Sequence, residues 1–417
     1  MLSNYWSITT LFLYILIAWI GYFCLKEAKK NNDNVKFICA YTKKRLILSK
    51  ALFTWCIVWL VFAVLRYISP EIGGTDAPTY IEYFEKCLEP TSNLYSYRTE
   101  ITFRVFTKII RTFCSDYHLY FFIIYIVIIL GYILFLKEYS SKDICFFPVI
   151  ASAYHYFLTY NIVRNGFSIG ILMIAFYFLK RNKYMASLMT ATVSVLMHTA
   201  SIFYAPFVIF YIFFKKWKDI SYRKLITIAT AAMILVESIC SILRKMVLAG
   251  QFNGLFTKLG LGQPFDVYAN AVKGDSFWKE FLTFKISRPQ LLLVLFLFIF
   301  IKYLDRDVKK QGIAAVERFS ILKMMILYDY IMLPLVYWFS VWRGPEYFLL
   351  ARLIVWGEII HWISTKINCS SKKYLDLAIF AVFILYFSLQ IYKYWDMSNL
   401  TPYHFEIVGH ILTIFEH

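Results

Sequence analysis

The sequence predicts an all-α polytopic membrane protein, a bundle of about twelve transmembrane helices with partly helical external loops. Three observations predict it. Of the 417 residues, 60% are hydrophobic and 20% aromatic, and the mean hydropathy is +0.59. A soluble domain of that length has no means of hiding so much apolar surface. Charged residues are only 17% and gather between long apolar runs, which is the pattern of helices that cross a bilayer.

Each span needs roughly 20 apolar residues, fewer where a helix is broken or sits inside the protein. Such runs lie near 5–25, 48–67, 117–136, 143–160, 166–180, 184–198, 200–214, 225–243, 289–304, 320–341, 347–364 and 374–394. The pairs within 143–180 and 184–214 are tight, so a member of each is a candidate re-entrant helix. The first run, Trp6 to Leu25, has no basic residue ahead of it and no small-residue cleavage site. It reads as a retained span rather than a signal peptide.

Basic clusters set the orientation. They are Lys26 to Arg45, Lys180 to Lys183, Lys215 to Lys224, Lys302 to Lys310 and Lys366 to Lys373. All five fall on one side if the spans alternate, and that side is the cytoplasm. Both termini are then expected outside. The whole of 1–417 reads as a single integral membrane domain. The external segments 68–116 and 244–288 are the connections long enough to build a folded cap. The formal net charge of +18 belongs to these short clusters, so anionic lipid accounts for it better than nucleic acid.

No GxxxxGK[ST], Rossmann glycine pattern or HExxH occurs, so nucleotide-driven chemistry is not indicated. The eight cysteines show no metal spacing. Cys87 and Cys114 share one external loop and are candidates to pair in an oxidising compartment.

The stretch from Arg66 to Tyr80 leaves the second span at its outer end. Gly73 and Gly74 permit a tight turn, Thr75 or Asp76 caps a helix, and Pro78 lies in its first turn. Asp76 is therefore either an N-cap or a carboxylate that accepts a proton from a sugar hydroxyl. The next helix, Thr99 to Phe113, is amphipathic. Arg104, Lys108 and Arg111 share one face and Phe103, Phe106, Ile110 and Phe113 the other. It reads as a membrane anchor at the interface or as a docking face for a lipid phosphate.

Arg164 falls at a helix break at the outer level, where a guanidinium ties the broken backbone or binds an anion in a bidentate way. His198, at the next outer hinge, is a structural donor or a general base. Arg343 lies in a short external link, and Arg352 follows within the next span, available to Glu346 or Glu358 or to a diphosphate. Asp329 and Glu358 lie toward the inner side, where structural hydrogen bonding fits better than catalysis. Arg66, Asp76, Arg104, Arg164, His198, Arg343 and Arg352 thus all belong to the outer half. Several guanidiniums, a base and many aromatics suit a polyanionic, sugar-bearing lipid.

These landmarks resemble the EpsG/Wzy group of bacterial polysaccharide polymerases. The matching residues are Arg66, Gly74, Thr75, Asp76 and Tyr80, then Asn161 and Arg164, then His198, then Arg343, Tyr347 and Phe348. The chain departs from the pattern at Asn165, where Gln is expected, and in Ser69-Pro70-Glu71 before the glycines. The resemblance implies a GT-C-like glycosyltransferase at the outer face of the bacterial inner membrane, working with membrane lipid around it. Its donor and acceptor would both be undecaprenyl-diphosphate-linked oligosaccharides, with no cofactor, no metal and no nucleic acid, and with a chain-length regulator as a partner. It also implies roles. Arg164, Arg343 and Arg352 would hold the donor diphosphate; Arg66, Arg104, Tyr80, Asn161 and Tyr347 would line the substrate site. His198 or Asp76 would deprotonate the acceptor hydroxyl, His198 being favoured because a carboxylate among arginines is a poorer base. An O-antigen ligase and a lipid-linked oligosaccharide flippase are the rival readings. The one-sided candidates and the lack of an internal repeat weigh against a flippase.

Overall fold

The computed structural model describes residues 34–38, 45–49, 77–89, 100–139, 162–216, 220–249, 276–282, 288–338 and 344–366, with scattered positions in 15–19, 57–60 and 377–389. The expected spans at 5–25, 48–67, 143–160 and 374–394 lie wholly or mostly outside the described residues. So do Arg66, Asp76, Asn161 and Arg343. The all-α membrane class holds: three described helices are long and apolar enough to cross a bilayer. An antiparallel hairpin adds to it, β1 (Asn34–Ile38) pairing with β2 (Arg45–Ser49) from Asn34 opposite Ser49 to Ile38 opposite Arg45. It lies in the first basic cluster, whose charge is its most visible feature in the sequence.

The chain divides into two compact units. The first holds the hairpin, α1 (Ala77–Lys86), most of α2 (Ile101–Phe113), α3 (Tyr117–Tyr139) and the start of α4 (Val163–Lys180). Helix α1 begins one residue before Pro78, whose missing N–H costs nothing in a first turn. Its Phe84 ring stacks on Tyr120 of α3 at 4.9 Å. Asp116 starts α3, its Oδ1 accepting from the His118 backbone N–H at 2.9 Å as an N-cap does. Helices α3 and α4 meet through glycine. A Cβ on Gly131 would overlap the Gly170 carbonyl, and one on Gly170 would stand 2.7 Å from the Ile128 Cα. Small residues permit such contact between membrane helices.

The second unit holds α5 (Tyr184–Met197), a 3₁₀ turn (Thr199–Phe203), α6 (Phe207–Phe214), α7 (Tyr222–Leu248), α8 (Phe277–Leu282), α9 (Arg288–Lys310), α10 (Ile313–Ile331), α11 (Leu333–Trp338), a second 3₁₀ turn (Gly344–Phe348) and the start of α12 (Leu349–Lys366). Helix α10 packs against α7 and α9. The α9–α10 turn needs Gly312, whose φ is +103°. Two expected spans are broken: 200–214 into a 3₁₀ turn and α6 around Pro206, and 320–341 at Met332, with Pro334 in the first turn of α11. Proline inside a helix removes a hydrogen bond and clashes with the preceding turn. Near the basic clusters, Lys180 reaches Glu317 at 2.6 Å and Lys323 reaches Asp305 at 2.7 Å.

Candidate active site

Two expected ligand residues of the first unit meet although 84 positions separate them. Arg164, in the first turn of α4, donates from Nε to the Tyr80 hydroxyl at 3.0 Å. Tyr80 is buried, edge-on to Phe103 of α2 at 6.1 Å, and Phe106 of α2 lies 4.9 Å from Phe167 of α4. Aromatic contacts therefore fix the turn that carries Arg164.

Helix α2 has three faces where the sequence predicts two. Phe103 and Thr107 are buried. Arg104 and Arg111 are half-buried beside them, the Arg111 guanidinium lying 5.5 Å over the Phe84 ring. Ile101, Val105, Ile109 and Phe113 form an exposed apolar stripe, Phe113 being 87% exposed. Phe113 thus belongs with the exposed stripe and not with Phe103. Such a stripe, bordered by Lys108 and the arginines, is the form of a helix that meets lipid on one side and protein on another. Cys87 and Cys114, candidates to pair, are not joined by a disulfide.

In the second unit His198 ends α5 with an extended backbone, φ −155° and ψ 119°. The chain leaves the helix there and enters the 3₁₀ turn. The His198 Nδ1 lies 2.8 Å from Glu100 Oε1, and the same oxygen accepts from the Thr199 backbone N–H at 2.9 Å and from its hydroxyl at 3.2 Å. The side chains of His198 and Glu100 are 14% and 11% exposed. One carboxylate oxygen thus caps the 3₁₀ turn and fixes the imidazole through Nδ1. A carboxylate on Nδ1 sets the orientation and the tautomer of the imidazole, the arrangement found behind a general base. Sequence reasoning missed Glu100. The predicted helix from Thr99 takes Glu100 into its first turn, where an acid reads as a partner of the helix dipole, and its 98-residue separation from His198 gives no pattern.

The 3₁₀ turn packs against the second one, Gly344–Phe348. Tyr204 stacks on Tyr347 at 5.4 Å with 11° between planes, and Phe348 lies against Phe176, Phe207 and Tyr328. Tyr347 is fully buried, packed between the two 3₁₀ turns. Arg352 Nη1 donates to Asp329 Oδ2 at 2.5 Å, and the two residues are 6% and 1% exposed. The guanidinium expected on Glu346, Glu358 or a diphosphate is bonded to Asp329. A charge so deeply buried needs a partner of its own depth, and α10 supplies one. The buried Glu346 carboxyl is pushed up to about 7 by loss of water, with Arg352 pulling the other way.

No curated protein and no solved structure matches this chain. The EpsG family profile matches residues 50–405, most of the chain, and with it the chain belongs to the EpsG family.

Proposed function

We propose that the chain is a polysaccharide polymerase that transfers a growing glycan from undecaprenyl diphosphate to a lipid-linked repeat unit, at the outer face of the cytoplasmic membrane. Membership of the EpsG family supports a polymerase-type role, and the apolar helices support a membrane-embedded one. The observation that carries the mechanism is the Glu100–His198 hydrogen bond. A carboxylate on Nδ1 orients the imidazole and fixes its tautomer, as in a carboxylate–histidine pair that serves a base.

In this reading the acceptor sugar hydroxyl attacks the anomeric carbon of the growing chain. A carbon–oxygen bond forms there as the bond from that carbon to the diphosphate oxygen breaks. The hydroxyl proton passes to His198 Nε2, and the lipid diphosphate leaves with the electron pair. Stabilising that leaving charge is the largest demand. Arg164 and Arg343 are assigned to it, with Arg66 and Arg104 along the glycan path. Arg352 is reassigned to structure, because its charge already belongs to Asp329. Asp76 orients the acceptor or its own loop. The activated donor supplies the energy, so nucleotide is not required.

The test is the length profile of surface polysaccharide in a strain lacking the gene. A polymerase null leaves single repeat units on the acceptor. If no repeat unit reaches the acceptor, the protein is a ligase or a flippase instead.

A further inference from the structure

Asn165, the residue after Arg164, is 1% exposed, and neither its Nδ2 nor its Oδ1 has a hydrogen-bond partner among the described residues. Buried amides are almost always bonded, and one left open at both ends calls for an explanation. Of its helical neighbours, Ile162, Ile169 and Leu172 are buried and apolar, and Ser168, one turn on, is buried and polar.

The position narrows the ligand. Asn165 stands in the first turn of α4, whose first intrahelical bond runs from the Gly166 N–H to the Ile162 carbonyl at 2.8 Å. The N–H groups before it have no acceptor within the helix and face the positive end of the dipole. A phosphate would satisfy those donors. It would not satisfy Asn165, because phosphate oxygens accept and the Oδ1 atom needs a donor. A sugar does both: one hydroxyl donates to Oδ1 while its neighbour accepts from Nδ2.

We propose that Asn165 is a sugar-binding residue in which the side-chain amide hydrogen-bonds adjacent hydroxyls of the glycan next to the lipid diphosphate. The proposal rests on the polymerase reading and adds the group that reads the sugar beside the charge. Entry of the glycan parts the side chains packed over the amide.

Asn165→Leu keeps the size and removes both polar atoms. In the deletion strain carrying this variant, long-chain polysaccharide is expected to fall at least tenfold against the wild-type gene. The melting temperature of the purified variant in detergent is expected to equal or exceed that of the wild type, since an unsatisfied polar group has been removed. Wild-type polymer from Asn165→Leu overturns the inference. So does a joint fall of polymer and melting temperature, which would make the amide a structural group. A wild-type gene that fails to restore polymer to the deletion strain rejects the polymerase reading itself, and the sugar ligand with it. A defect confined to the strain carrying Asn165→Leu leaves that reading intact.

Discussion

In the proposed mechanism His198 and Glu100 divide one task between them, and each makes a separate prediction. A positioned base contributes roughly 10²–10⁴-fold, so His198→Ala is expected to lose polymer while protein level and membrane insertion stay normal. Glu100→Gln keeps an oxygen for the Thr199 N–H and removes the charge behind the imidazole. Its kcat is expected to fall at least tenfold with KM little changed, the mark of a group acting in the transition state. Wild-type kcat would make Glu100 a cap and nothing more. Asp76→Asn is expected to retain activity; a dead Asn variant beside an active His198→Ala would reverse the assignment of the base. In the proposed mechanism Arg164 and Arg343 act through planar, paired donors, so Lys at either site is expected to restore charge but little activity. For Arg164 there is a further reason, because Lys has no Nε to hold the Tyr80 hydroxyl. His198 and Arg164 were legible in the sequence because a polar residue at a break between apolar runs stands out. Glu100 was not, since the fold alone brings it to His198. Arg352 is conspicuous as an intramembrane arginine, but its bond to Asp329 was not legible because that partner lies on another helix. Asp329→Asn leaves that guanidinium buried without a counter-charge, and a loss of about 3–5 kcal/mol is expected. Retained melting temperature in the Asn variant would contradict the pairing.

Among the described residues, helix boundaries followed the apolar runs closely, and the exceptions have local causes. The run at 320–341 contains Pro334, which breaks α10 from α11. The run at 200–214 contains Pro206 and becomes a 3₁₀ turn plus a short helix. Hydropathy sums over such breaks and does not register them. The β-hairpin had a signal too, the alternation of Val35 and Phe37 with Lys36, but a dense basic cluster masked it. Helix α2 reads as two-faced in the sequence because a hydrophobic count does not separate Phe103, packed on Phe167, from Phe113, left exposed. The contact of α3 and α4 gives the clearest prediction at this scale. Gly131→Leu drives a branched side chain into the Gly170 backbone, and neither helix can yield without losing the aromatic contacts around α3. The variant is expected to insert but to unfold at a lower temperature and to make no polymer. Normal polymer from it would mean that the close approach is absent.

For the whole molecule, the five basic clusters lead to the expectation that one set of loops is cytoplasmic and that the segments 68–116 and 244–288 are external. A cysteine introduced near Gly74 should react with an impermeant thiol reagent in intact cells; reaction only after the inner membrane is opened would reverse the orientation. The ion pairs Lys180–Glu317 and Lys323–Asp305 neutralise acids beside two of the basic clusters, which leaves the positive balance there to the remaining basic residues. The central claim is that this one chain joins lipid-linked repeat units by a base-assisted transfer. It is tested most directly by placing the purified protein in phospholipid vesicles with isolated undecaprenyl-diphosphate repeat unit and weighing the lipid-linked products by mass spectrometry. The account predicts a ladder at whole multiples of the repeat unit from the wild type, formed without nucleotide, and single units only from His198→Ala. No ladder from the wild type, or an undiminished ladder from His198→Ala, would contradict it.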